Sequence, residues 1–191
     1  MTCPTVPTWY AEIAPEYDVK PLAEADIPAV LALCEGNPLF YEHCPPPPTA
    51  DGIRRDLTAL PPGRTLADKH FLGFWKEGRL AAILDLIEGY PAADTAWIGL
   101  FMTARETQGA GFGSALVEQL LLCLKKLGHA RVRLAYAKGN PQSKAFWQKM
   151  DFPAQEKKNL LMGILLLSWS GAWRRKIQIS VTGELLNTGN I

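Results

Sequence analysis

Gln108-Gly109-Ala110-Gly111-Phe112-Gly113-Ser114 decides how this chain is read. It follows the apolar run Trp97-Ile98-Gly99-Leu100-Phe101-Met102 and opens a helical pattern. In that pattern Phe112, Ala115, Leu116, Leu120, Cys123, Leu124 and Leu127 share one stripe. A strand, a glycine-rich turn and a helix start, in that order, build a site for phosphate. Unpaired N–H groups and the positive end of the helix dipole face the anion. Glycine lets the backbone approach because no Cβ intervenes. The expected ligand therefore carries phosphates.

Working outward, Gly128 ends the helix, Arg131 to Ala137 alternates as a strand, and Asn140 caps a helix from Pro141 to Met150. Upstream, Thr95 to Met102 is a strand behind the turn Gly89-Tyr90-Pro91. His70 to Trp75 and Arg79 to Ile87 are strands joined by the hairpin signal Lys76-Glu77-Gly78. Thr49 to Leu60 reads as a helix closed by Pro61-Pro62-Gly63. Asp26 is placed to cap another, with Ile27, Val30, Leu31 and Cys34 at helical spacing and Gly36-Asn37-Pro38 as its stop. Val19 to Leu22 is a short strand. Between the two helices, Leu39-Phe40-Tyr41, His43-Cys44 and Pro45 to Pro48 have no period and read as a rigid loop. Residues 1–17, with Pro4, Pro7 and Pro15, read as an irregular arm. After Lys158, Leu160 to Leu167 and Lys176 to Val181 read as a hairpin around Ser168 to Arg174, or the first run as a helix. The order of elements predicts an α/β (α+β) fold with a mixed sheet. No repeat or linker divides the 191 residues, so a single domain over 1–191 is expected.

The formal net charge is +1, from 20 basic and 19 acidic residues, which gives no support for a nucleic-acid or anionic-membrane partner. The cysteines at 3, 34, 44 and 123 lack metal-site spacing, so no metal is expected and free thiols in a reducing compartment are. Met1 to Tyr10 has no basic or apolar region of a secretory signal, and Leu160 to Leu167 is too short to span a bilayer. A cytoplasmic location follows as an expectation.

Three phosphate ligands compete. A mononucleotide loop needs a lysine after the glycines, and Ser114 and Ala115 stand there instead. A dinucleotide site needs a third glycine where Ser114 stands, and a carboxylate after the next strand, which ends Tyr136-Ala137-Lys138. The third ligand is coenzyme A. Gln108-x-x-Gly111-x-Gly113 resembles the pyrophosphate motif of the GNAT family of N-acetyltransferases. Asn140-Pro141-Gln142-Ser143-Lys144-Ala145-Phe146-Trp147-Gln148-Lys149-Met150-Asp151-Phe152 resembles the family's last acyl-CoA helix, and Trp97 to Met102 its fourth strand. The detailed match covers roughly 95–152; the N-terminal half agrees in element order only.

The resemblance implies a mixed, mostly antiparallel sheet with splayed fourth and fifth strands, flanked by about four helices. It implies acetyl-CoA as cofactor, and direct attack by the primary amine of a small molecule on its thioester. Acetylation of a protein or peptide, at an N-terminus or a lysine, is the alternative; a non-catalytic acyl-CoA-binding module is another. Backbone groups of Leu100, Phe101 and Met102 would hold pantetheine. N–H groups of Gln108, Gly109, Ala110, Gly111, Phe112, Gly113 and Ser114 would hold the pyrophosphate, with Asn140, Ser143, Lys144 and Trp147 lining the coenzyme side. Read without a ligand, Asn140 is a good helix cap, Phe146 is core and Lys144 a solvated side chain.

Two positions depart from the family pattern. Trp147 stands where many members carry a tyrosine able to protonate the leaving thiolate, so Tyr136 or Ser143 would donate instead, or solvent would. Asp151 stands where a glycine usually ends the helix, at a left-handed position. Candidate bases are Glu88 and Asp85; for both, a solvated strand charge is the default reading. Phe40, Tyr41, His43 and Tyr90 are the candidate acceptor-binding residues, with core packing as the alternative. The 39 residues after Phe152 contain an apolar strand that either completes the sheet or pairs with a second subunit, and a homodimer is the expectation.

Overall fold

In the computed structural model, residues 7–137 and 139–152 are described in full and 164–170 by their backbone. Six strands form one sheet in chain order, β1 (Asp18–Pro21), β2 (Lys69–Lys76), β3 (Arg79–Glu88), β4 (Thr95–Thr103), β5 (Arg131–Ala137) and β6 (Ile164–Ser170). Every neighbouring pair is antiparallel except β4 with β5. The hairpin between β2 and β3 turns on Glu77 and Gly78, both at positive φ, as the tight primed turn requires.

The parallel pair is where the sheet opens. β4 meets β5 only from Thr95 to Ile98, although β4 runs on to Thr103 and β5 to Ala137. The expected splay of the fourth and fifth strands is present.

The described residues include six α-helices, more than the four expected. Helices α1 (Trp9–Ile13) and α5 (Phe112–Lys126) cover one face; α2 (Ile27–Glu35) and α4 (Ala50–Asp56) cover the other. The additional helices are α1 and α3 (Pro38–His43), both in segments whose sequence reads as irregular. Prolines flank α1, and its Trp9, Tyr10 and Ile13 are buried against the sheet. Helices this short draw their stability from packing rather than from propensity. Asp26 does not cap α2; its carboxylate accepts the Ala23 N–H in the preceding 3₁₀ turn.

Helix α6 (Pro141–Lys149) starts at its predicted cap, Asn140 Oδ1 accepting the Ser143 N–H at 3.0 Å. It ends with Asp151 at φ 57° and a Phe152 N–H bond back to Trp147 O, the left-handed ending expected there. The predicted turn at Ser168 falls inside β6, so the late strand runs on past the Leu167 at which the sequence reading ends it; 160–163 lie outside the described residues. Lys176 to Val181 lies outside the described residues. Cys34, Cys44 and Cys123 are free thiols.

Candidate active site

The N-terminus of α5 sits at the foot of the opened sheet. Gly111 is its N-cap at φ 85°, a left-handed conformation that glycine adopts without strain, and no side chain caps the helix. The first helical bond runs from Ala115 N–H to Gly111 O, so the amides of Gly111 to Ser114 have no partner within the helix. Nothing lies within 4 Å of a Cβ built on Gly109 or Gly111. A bare, uncapped 15-residue helix start fits a pyrophosphate by its donors and by its dipole. By contrast, side chains occupy the starts of α4 and α6.

A cleft of about 280 Å³ runs from this turn along the end of β4 beyond its pairing with β5, with α6 as its other wall. Phe101, Met102, Gln108, Gly109, Gly111, Gly113, Ser114, Asn140, Ser143 and Trp147 line it, together with Phe40. The side chains of four other expected coenzyme-binding residues are not among that lining, although the Phe112 amide is one of the free amides at the helix start. The Leu100 side chain packs on the α2–α4 cluster, Ala110 is exposed in the turn, Phe112 stacks on Tyr17 against the α1–α5 core, and Lys144 is exposed. Lys149, one helical turn farther on, lines the cleft instead.

Strand register determines which backbone groups face the gap. Tyr90 N–H bonds Thr95 O, and Ala104 N–H bonds Ala81 O. Alternation from these two ends directs the amides of Gly99, Leu100, Met102 and Ala104 toward β3. The bulge between Asp85 and Leu86 absorbs the mismatch, with Gly99 as the extra residue on β4. The amides of Phe101 and Thr103 therefore face the gap, whereas those of Leu100 and Met102 are committed to the ladder.

Polar side chains brace the cleft. Gln108 Nε2 donates to Asn37 Oδ1 at 2.7 Å and to Thr103 O at 3.1 Å. Asn37 Nδ2 donates to Leu33 O and Thr103 O, and Gln142 Nε2 donates to Gln108 Oε1. Asn37 thus ties the first residue of the motif to the N-terminal half. Its sequence reads only as a helix stop, and no local pattern identifies this role.

The candidate bases part company. Glu88 accepts from His70 Nε2 at 2.7 Å and His129 Nε2 at 2.8 Å, and those two bonds hold its carboxyl down at about 2. His70 in turn pairs through Nδ1 with the Tyr10 hydroxyl, whose pKa burial raises to about 12. This chain lies on the α1 side, away from the cleft lining. Asp85 lies on the α2–α4 side and, like Glu88, outside the cleft lining. Burial raises its carboxyl, and Lys69 Nζ, 2.7 Å away, opposes that shift. Burial also raises Asp56 of α4, and Asp85 adds to it.

Tyr136 is buried in the α1–α5 core; its hydroxyl has no partner among the described residues, and burial raises its pKa. Tyr41 is half-buried, with its hydroxyl bonded to Cys34. His43 approaches Gly139, and Cys44 meets the Ala137 backbone, so α3 and its following loop reach the end of β5. Tyr90 packs edge-on against Trp97. Among the described residues no group of three or more His, Cys, Asp or Glu is arranged to hold a metal ion, and no helix is long and apolar enough to cross a membrane.

Solved structures share this architecture. An acetyltransferase from Thermus thermophilus superposes with a TM-score of 0.68 at 22% identity, over 81% of this chain and 96% of its own. The PaiA N-acetyltransferase from Thermoplasma acidophilum, solved in complex with coenzyme A, gives 0.61 at 15% identity, over 81% and 98%. The ribosomal-protein-S18-alanine N-acetyltransferase from Escherichia coli gives 0.57 at 16%, over 88% and 97%. At these identities the likeness establishes the fold. No curated protein sequence matches the chain. The profile of the acetyltransferase (GNAT) family, however, matches residues 37–152, a span that includes the uncapped helix start, the opened strand pair and the bulge. The chain belongs to the acetyltransferase (GNAT) family.

Proposed function

We propose that this acetyltransferase binds acetyl-CoA in the cleft between β4 and β5 and transfers its acetyl group to the primary amine of a small molecule. The observation that carries the reading is the uncapped start of α5 at the foot of the opened strands. The amides of Gly111 to Ser114 hold the pyrophosphate. Phe101 and Thr103 offer the pantetheine an unpaired strand edge, and Asn140, Ser143 and Trp147 wall the other side. Acetyl-CoA, when bound, supplies an activated acetyl group whose bond to sulfur breaks as its bond to the amine nitrogen forms.

Asp85 lies outside the cleft lining, but its carboxyl is raised by burial and only one of its oxygens is held by a cation, so of the two acids it is the better suited to take the proton that an ammonium must lose before its nitrogen can attack. Glu88 is unsuited to that task, because both its oxygens are engaged by histidines and its carboxyl is a weak proton acceptor. The Phe101 N–H, free of β3, is available to polarise the thioester carbonyl. Tyr136 has a hydroxyl but no place in the cleft lining, so the departing sulfur takes its proton from Ser143 or from water. The reach of α3 and the 44–49 loop to the end of β5 narrows the acceptor side, which favours a small amine over a folded protein. Phe40 and Tyr41 on α3 give that amine an apolar wall.

Thermal unfolding with acetyl-CoA, CoA, NAD and ATP in parallel tests the cofactor. A ligand that binds only the folded state raises the midpoint. A rise with acetyl-CoA and CoA alone is expected, followed by thiol release when a primary amine is added. A rise with NAD or ATP and none with CoA overturns the reading.

A further inference from the structure

The side-chain amides of Asn37 and Gln108 are spent on each other and on the backbone around them. Gln108 Nε2 donates to Asn37 Oδ1 at 2.7 Å and to Thr103 O at 3.1 Å. Asn37 Nδ2 donates to the same Thr103 O at 3.2 Å and to Leu33 O at 2.9 Å. Leu33 O and Thr103 O can only accept, which fixes the orientation of both amides and uses every N–H they carry. Gln108 Oε1 takes Gln142 Nε2 of α6 at 3.2 Å, and the Gln108 backbone N–H is bonded to Arg105 O. Gln108 therefore has no donor left for a phosphate, although it heads the glycine motif.

Thr103 O is the point at which this pair acts. A strand residue directs its N–H and its C=O to the same side, so Thr103 O faces away from β3 together with the Thr103 N–H. Phe101 precedes it on that same edge. Two side-chain donors take both lone pairs of Thr103 O, so the free edge of β4 closes there. Asn37, Thr103, Gln108 and Gln142 all line the cleft, and so does Phe40, three residues after Asn37 on α3. As a helix stop alone, Asn37 would need only its bond to Leu33 O; its bonds to Thr103 O and Gln108 serve the cleft.

We propose that Asn37 is a positioning residue of the coenzyme cleft: paired with Gln108, it closes the open edge of β4 at Thr103 O and so sets how far along that edge the pantetheine arm can pair. The inference rests on acetyl-CoA as the ligand of the cleft. A pantetheine arm carries amide groups on a flexible chain, and a strand edge left open at Thr103 O would offer its N–H groups a second, slipped register. With that oxygen taken, Phe101 and the Thr103 N–H are what the edge presents, and the arm pairs in one register. Through Leu33 O the same side chain is tied to the end of α2, so the start of α3, which brings Phe40 to the cleft, is held by the residue that closes the edge.

The test is calorimetry with CoA on the full chain. A wild type that binds no CoA overturns the acetyl-CoA reading itself. Given binding by wild type, Asn37→Leu, of similar size and without polar atoms, is expected to weaken CoA by about tenfold, the usual cost of orphaned hydrogen-bonding groups. Gln108→Met leaves the Asn37 bonds to Leu33 O and Thr103 O in place. It should weaken CoA by a similar factor, and it carries the test where Asn37→Leu does not fold. The double variant should bind within about twofold of the weaker single, because the pair acts as a unit. Amide exchange is the second readout. In wild type CoA should protect the Thr103 N–H beyond the factor common to all globally protected amides, and Asn37→Leu should lose that excess. An Asn37 that serves α2 alone predicts instead a lower unfolding midpoint with CoA affinity and the Thr103 excess unchanged. Single variants within twofold of wild type, or losses that multiply in the double variant, overturn the proposal.

Discussion

Asp85 and Glu88 stand three residues apart on β3, so strand alternation sends their carboxylates to opposite faces of the sheet. Both acids are visible in the sequence; their partners are not. Lys69 and His70 come from the neighbouring strand, and His129 arrives from beyond the end of α5, where its N–H bonds Leu124 O as the helix closes at Gly128. No local pattern joins residues 70, 88 and 129. The consequence for Glu88 has a definite sign. Its carboxyl is lowered from 4.5 to about 2 in the folded protein, so the stabilisation is complete above about pH 5 and is lost as pH falls from there toward 2. Glu88→Gln should cost about 2 kcal/mol at pH 7, the usual worth of a hydrogen-bonded charge, and should flatten the fall of stability between pH 5 and 2. Acetyl transfer should persist. Denaturant unfolding across that range, with a rate assay at pH 8, checks both; a variant as stable as wild type yet inactive would restore Glu88 as the base.

The helix starts show how far element-level patterns reach. Asn140 was legible as a cap and caps α6; Gln108 to Ser114 was legible as a glycine turn and opens α5. Helices α1 and α3, of five and six residues, were not legible, because so short a segment carries too few periods and is stabilised by what it packs on. The two ends of the C-terminal helices invite different substitutions. Gly111 holds φ 85°, so Gly111→Ala should strain the turn by about 1 kcal/mol and place a methyl group in the anion cradle. Acetyl-CoA affinity, by calorimetry, should fall at least tenfold while the fold persists. Asp151 holds φ 57° at the end of α6, where glycine suits the conformation better. Asp151→Gly should raise stability by about 0.5 kcal/mol and leave the kinetics alone, as thermal unfolding and steady-state rates would record.

At the scale of the whole molecule, the order of strands and helices was readable because each element carried its own period and punctuation. The register was not. The bulge at Gly99 adds one residue to β4 and reverses which of its amides face β5, and nothing in an apolar run from Trp97 to Met102 announces that slip. It decides the site nonetheless. Without it, the amides of Phe101 and Thr103 would be spent on β3 and the opened edge would present those of Leu100 and Met102. Amide hydrogen exchange distinguishes these arrangements. In the free protein the Met102 N–H, held by the β3 ladder, should exchange slowly, and the Phe101 N–H, facing the gap, should exchange fast. Acetyl-CoA stabilises the whole fold by mass action and so slows all globally protected amides by one common factor. A pantetheine arm that adds to the sheet as a strand would protect Phe101 well beyond that factor, by tenfold or more, and leave Met102 on the common line. If Met102 gained the extra protection and Phe101 did not, the bulge would lie elsewhere, and the opened edge of β4 would present the other set of amides to the coenzyme.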